Sequence, residues 1–167
     1  MKLLGFPILL ILLHVANGSD GKFRKLCLDM FNKERYEVAK EKGWANMNQL
    51  EYGERHEKLI QDTFDVYEDR CINRNVTTVL KNLQNMDNII KIVLNPDSVK
   101  KYIGDVGSQK AACAYKKCKE TGVETLAIAV DINSLVDPIN GSPGSACPNN
   151  RQPDVQMLCE LKKKKSN

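Results

Sequence analysis

The sequence lacks most of the groupings from which enzymes are assembled. Aromatic side chains make up 6% of its 167 residues, tryptophan occurs once and histidine twice. No G-x-S-x-G is present, which removes the nucleophile-elbow hydrolases. Glycine-rich phosphate loops are absent too, and with them the common nucleotide-binding classes. Charge of one sign is not in large excess: 25 Lys and Arg face 21 Asp and Glu, a formal +4. That balance gives no argument for nucleic acid. Beyond the N-terminus no apolar run approaches the roughly 20 residues that span a bilayer. What remains is an ordinary hydrophobic fraction of 42% in a length that suits one folded domain.

The N-terminus has the three parts of a secretory signal. Lys2 supplies the positive start, Leu3 to Val15 is almost wholly apolar, and the small residues Ala16 and Gly18 precede Ser19. Residues 1–18 therefore read as a signal peptide cut before Ser19, and the mature chain as secreted and extracellular. Cleavage removes His14 and leaves His56 as the one histidine.

Six cysteines follow the signal: Cys27, Cys71, Cys113, Cys118, Cys147 and Cys159. An even number in a secreted chain reads as three disulfides, of unspecified pairing. Zinc is the competing explanation, but only Cys113 and Cys118 are near neighbours, and even they are not the close pair that zinc sites use. No metal site and no cofactor are expected. Two N-x-[ST] sequons, at Asn75 and Asn140, are glycosylation candidates.

Hydrophobic periodicity suggests a mainly α fold: one disulfide-cross-linked helical domain of about five helices over 19–161, with an irregular C-terminal region and a basic, disordered tail at 162–167. Phe23, Cys27, Met30, Phe31 and Val38 share one face of a helix from about Gly21 to Lys42, with Gly43 placed to end it. A second helix is expected from about Leu50 to Asn73, with Ile60, Phe64, Tyr67 and Cys71 inward and an acidic opposite face. The stripe Val76, Val79, Leu80, Leu83, Met86, Ile90, Val93 and Leu94 predicts a third. Val99, Tyr102 and Ile103 suggest a short helical face, and Ser108 to Lys119 a further helix. Val123 to Val136 fits a helix and also alternates as a strand would; the helix is preferred for consistency with what precedes it. Asn140 to Asn150 is loop material, Pro153 to Leu161 reads as a short helix, and Cys147 and Cys159 are expected to pin this region to the helical body.

Candidate sites are few. His56 lies in Glu54-Arg55-His56-Glu57 with no serine or cysteine in a nucleophile context, so it reads as a solvated surface residue and no catalytic residue is assigned. Asp131, Asn133 and Asp137 lack the glycine and terminal glutamate of a calcium loop. Basic residues gather at Lys116, Lys117 and Lys119 and at Lys162, Lys163, Lys164 and Lys165. Such clusters are candidates for binding an anionic surface or an acidic extracellular protein.

A small, secreted, helical layout with six cysteines resembles the insect odorant-binding proteins, although their second and third cysteines stand three residues apart and no such gap occurs here. The sequence thus leads to two expectations. One is a secreted, non-enzymatic effector of the venom or saliva toxin type, acting on a receptor, channel or host protein. The other is a carrier for a small hydrophobic ligand, a lipid or odorant, in which the stripe from Val76 to Leu94 lines a cavity. Neither involves nucleic acid or a transmembrane segment in the mature chain.

Overall fold

A computed structural model describes residues 21–67, 77–82, 89–94, 99–117, 122, 124–133 and 135–162. The signal segment 1–18, Cys71, Asn75, Cys118, Lys119 and Lys163 to Lys165 lie outside them.

Helix α1 (Gly21–Lys42) forms as its periodicity predicts, burying Phe23, Cys27, Phe31, Asn32, Arg35, Val38 and Ala39 along one face. Lys40 and Lys42 in its last turn complement the negative helix end. Gly43 adopts a left-handed φ of 67°, and the Trp44 amide donates back to the Ala39 carbonyl at 2.8 Å. A side chain at this position would oppose that conformation, so glycine ends the helix. A short strand β1 (Glu51–Tyr52) leads into helix α2 (Glu54–Tyr67), where Ile60 and Phe64 face inward.

The rest of the body is sheet. Strands β2 (Thr77–Asn82), β3 (Ile89–Leu94), β4 (Lys110–Lys117) and β5 (Glu124–Ile132) join β1 in the order β1-β4-β5-β3-β2. β1 runs parallel to β4 and the other pairings are antiparallel. Cys113 pairs with Ile128 and Ala129 with both Ala112 and Ile92, so β5 sits between β4 and β3. Alternation along the strands sorts the core into two layers. Val93, Ala111, Cys113, Leu126, Ile128 and Val130 meet Phe23, Cys27 and Phe31 of α1. Ile90, Ile92, Leu94, Ala112, Ala114, Ala127 and Ala129 meet Ile60 and Phe64 of α2. The sheet is therefore covered by one helix on each face.

This corrects the mainly α expectation: two helices, not five, occur among the described residues, and the centre is a mixed sheet. The stripe assigned to a third helix contributes β2 and β3 instead. A strand covered on both faces is apolar at odd and even positions alike, so a helical template also finds matches along it. The run Ile89, Ile90, Ile92, Val93 is β-branched, which favours the pleated surface. The expected helix from Ser108 to Lys119 is β4. Its alanines suit a helix intrinsically, but Ala112 and Ala114, with Ala127 and Ala129 across the ladder, are small where α2 packs on the sheet. Within the ambiguous stretch, Glu124–Ile132 is strand β5 rather than the preferred helix. Residues 99–109 form turns and loop, not a helix.

Beyond β5 the chain is irregular up to strands β6 (Arg151–Pro153) and β7 (Cys159–Leu161), an antiparallel pair where a short helix was expected. Cys147 and Cys159 bond to each other rather than to the helical body. Attachment comes from the backbone: the Cys159 amide donates to Met47 O at 2.9 Å, and the Gln49 amide donates to Cys159 O at 3.0 Å. The second disulfide, Cys27–Cys113, joins α1 to β4, and no described cysteine is free. Disulfides persist in oxidising compartments, in keeping with an extracellular protein. No helix among the described residues is long and apolar enough to cross a membrane.

Candidate functional site

A cavity of about 790 Å³ opens where the first turns of α1, the start of α2 and the sheet converge. Arg24 reaches across it from α1. Its guanidinium lies 2.8 Å from Glu57 and 3.5 Å from Glu54, and 5.4 Å from the centre of the Tyr52 ring. The Tyr52 hydroxyl donates to Cys113 O at 3.2 Å, and burial pushes its phenol pKa upward. At the opposite wall the Asp131 carboxylate accepts from the Lys110 amide at 2.7 Å and from the Gln109 amide at 3.0 Å. Burial raises the Asp131 pKa, against the lowering effect of these amides.

His56 stands in this cavity wall, one turn before Ile60 on the inward face of α2. It is 7% exposed, and neither ring nitrogen has a hydrogen-bond partner among the described residues. Burial, then the nearby positive charges of Lys110 and Arg55, push its pKa down to about 4, so the imidazole is neutral at physiological pH. The solvated surface histidine of the sequence reading is corrected here. Gly53 caps α2, and a Cβ on it would stand 2.7 Å from His56 Nδ1. The imidazole thus occupies the place where a capping side chain would begin.

The remaining sequence candidates are dispersed. Lys116 lies 3.4 Å from Asp65, Lys117 lies 3.8 Å from Glu124, and both sit at the end of β4. Lys162, which the sequence placed in a loose tail, follows β7; its ammonium donates to Asn149 O at 2.7 Å and its amide to Asn150 O. Asn140 is exposed and its backbone bridges to Trp44. Asn133 and Asp137 serve the backbone: the Asn133 amide donates to Asp105, and Asp137 O accepts from Asn46. Among the described residues no three His, Cys, Asp or Glu side chains gather as a metal site would require. Ser108, next to the cavity-lining Gln109, is buried and donates its hydroxyl to Asp131 O at 2.5 Å.

Arg35 was not among the candidates drawn from the sequence. Its guanidinium is fully buried and donates to Asn48 O at 2.8 Å, Ile103 O at 2.6 Å, Asp105 O at 2.9 Å and Val106 O at 3.4 Å. It ties α1 to the 44–50 segment and to the loop before β4. Burial lowers its pKa to about 10, which leaves it charged at neutral pH. A signal was available, since Arg35 lies four residues after Phe31 on the apolar face.

No protein-family model matches the chain, and no curated protein matches it by sequence. Solved structures do match by shape. The hookworm platelet inhibitor is 14% identical, with a TM-score of 0.59, over 89% of this chain and 96% of that one. BmVAL-1 is 15% identical, with a TM-score of 0.53, over 87% of this chain and 97% of that one. At these identities the likeness is one of fold: the chain shares the α/β fold of these two proteins.

Proposed function

We propose that the mature chain is a secreted, non-enzymatic effector that acts on a receptor, channel or other host protein outside the cell. The observation that carries this reading is the shared fold with the hookworm platelet inhibitor across nearly the whole length of both chains. The disulfide-linked body agrees with work outside the cell. The chemistry of the cavity favours binding over catalysis. His56, its one titratable base near neutrality, is held neutral without an orienting partner, and Ser108 is turned to a backbone carbonyl.

The test is aggregation of washed platelets with the secreted chain, alongside saturable binding to platelets and endothelial cells by flow cytometry. Saturable cell binding with inhibited aggregation supports a platelet-directed effector, and saturable binding without inhibition supports an effector with another target. Absence of both sinks the reading. Carriage of a purely hydrophobic ligand loses its main support, because Val93 and Leu94 of the expected cavity stripe pack into the core on opposite faces of the sheet, and only Ile90 of the three borders the cavity.

A further inference from the structure

The cavity at the start of α2 is more basic than acidic. Arg24, Lys25, Arg55 and Lys110 line it against Glu54 and Asp131. Glu54 is engaged by Arg24 and Asp131 by the amides of Gln109 and Lys110, while Arg24 also pairs with Glu57 and Lys25 with Asp29. Helix geometry leaves the first-turn amides of Glu54, Arg55 and His56 without intrahelical acceptors. At most helix starts a Ser, Thr, Asp or Asn side chain would accept one of them. Here the cap is Gly53, and His56 fills the space a capping Cβ would need. His56 itself is more than nine-tenths buried, faces the cavity and has two ring nitrogens without partners among the described residues.

We propose that this cavity is an oxyanion-binding site, in which the first-turn amides of α2, His56 and Lys110 receive a sulfate, phosphate or carboxylate group. A helix N-terminus with oriented amides favours negative charge, and a partly desolvated wall strengthens the attraction. The apolar surface of Leu28, Tyr52 and Ile90 in the same cavity suits a carbon skeleton attached to that group. The site rests on the cavity alone and holds whichever cell surface the protein acts on.

The bound anion alters the proton affinity of His56. Facing it are Arg24 and Lys25 from α1, Glu54, Arg55 and Glu57 from α2, Lys110 from β4 and Asp131 from β5. Among these, Lys110 and Arg55 oppose a proton on the imidazole. An oxyanion between them offsets that opposition and accepts a hydrogen bond from the protonated ring. Binding is therefore coupled to proton uptake and strengthens as pH falls.

The experiment is a titration of the isotope-labelled mature chain with sodium sulfate at constant ionic strength, followed by NMR. Sulfate stays a dianion throughout the pH range used, so any pH dependence belongs to the protein. The expected result is saturable shifts confined to the amides of Glu54, Arg55 and His56 and to the His56 ring. Affinity should rise roughly tenfold from about pH 7 to about pH 5 if the imidazole pKa rises by about two units on binding. Lys110→Met, at an exposed position, should weaken binding roughly fivefold without changing the fold, and His56→Leu should remove the pH dependence. Separate arms with inorganic phosphate and octanoate distinguish the sources, and the tightest identifies the group carried. Shifts that stay linear in sulfate and spread over surface lysines would overturn the proposal, as would a pH dependence unchanged in His56→Leu.

Discussion

The buried imidazole makes a prediction about acid stability. An unfolded chain binds a proton at His56 near the ordinary value of 6.5, whereas the folded chain resists it until about pH 4. Above about pH 6.5 both states are neutral there and the group contributes no pH dependence. As pH falls from 6.5 towards 4 the unfolded state gains a proton that the folded state does not, so stability is lost across that window. The two values imply a loss of about 2.5 kcal/mol by about pH 4.5. Asp131 works with the opposite sign: its raised carboxyl takes up a proton before the unfolded chain does, which favours the folded state on acidification. The clean quantity is consequently the difference between wild type and His56→Leu. Leucine extends the apolar face of Ile60 and Phe64, and the substitution breaks no hydrogen bond seen in the structure.

Urea unfolding in chloride buffers at about pH 7.5, 6, 5 and 4.5 measures that difference. The two curves should lie closest above about pH 6.5 and diverge below it, the variant becoming relatively more stable by about 2.5 kcal/mol at the acid end. The imidazole resonance followed in the wild type supplies an independent reading. Parallel stability curves over the whole series, or an imidazole midpoint near 6.5, would refute the argument that this ring is held neutral by burial.

Three further outcomes follow from the packing. Arg35→Met strands carbonyls of Asn48, Ile103 and Asp105, and should cost about 4 kcal/mol in chemical denaturation, with Arg35→Lys recovering only part because one ammonium cannot reach all three. Replacing Cys27 and Cys113 together by alanine opens a link between positions 86 residues apart, with an expected loss of about 4–5 kcal/mol in the same assay. Gly53→Ala places a methyl group 2.7 Å from His56 Nδ1; a cost of about 2 kcal/mol should fall by at least half in a His56→Ala background, as a double-mutant cycle would show.

The legible parts of the fold were those whose burial is one-sided. α1 exposes one face, so its period of Phe23, Cys27, Phe31 and Val38 and its glycine stop agree with the structure. β5 and β3 are covered by a helix on each side, and six consecutive buried residues, 126–131, carry no period that separates strand from helix. For β4 the alanines made the intrinsic preference point the wrong way, because their role lies in how closely α2 sits on the sheet. Tertiary contact set that choice, and no local window contains it. The Cys147–Cys159 pairing was hidden for a similar reason: six cysteines restrict connectivity only by number, whereas β6 and β7 bring these two together.

The candidate site shows how a charged neighbourhood misleads. Glu54, Arg55 and Glu57 made His56 look solvated, yet its spacing to Ile60 and Phe64 already placed it on the inward stripe. Arg35 bears the same relation to Phe31, four residues along an apolar face. In both cases helical phase outweighs the charge of the adjacent residues, because side chains one position apart point about 100° away from each other while those four apart lie together. A polar residue in phase with a buried stripe must find partners or remain neutral. Arg35 found carbonyls and is structural. His56 has no such partners among the described residues, stays neutral and borders a basic cavity. That contrast is what marks the cavity, rather than the lysine clusters, as the place to look for a ligand.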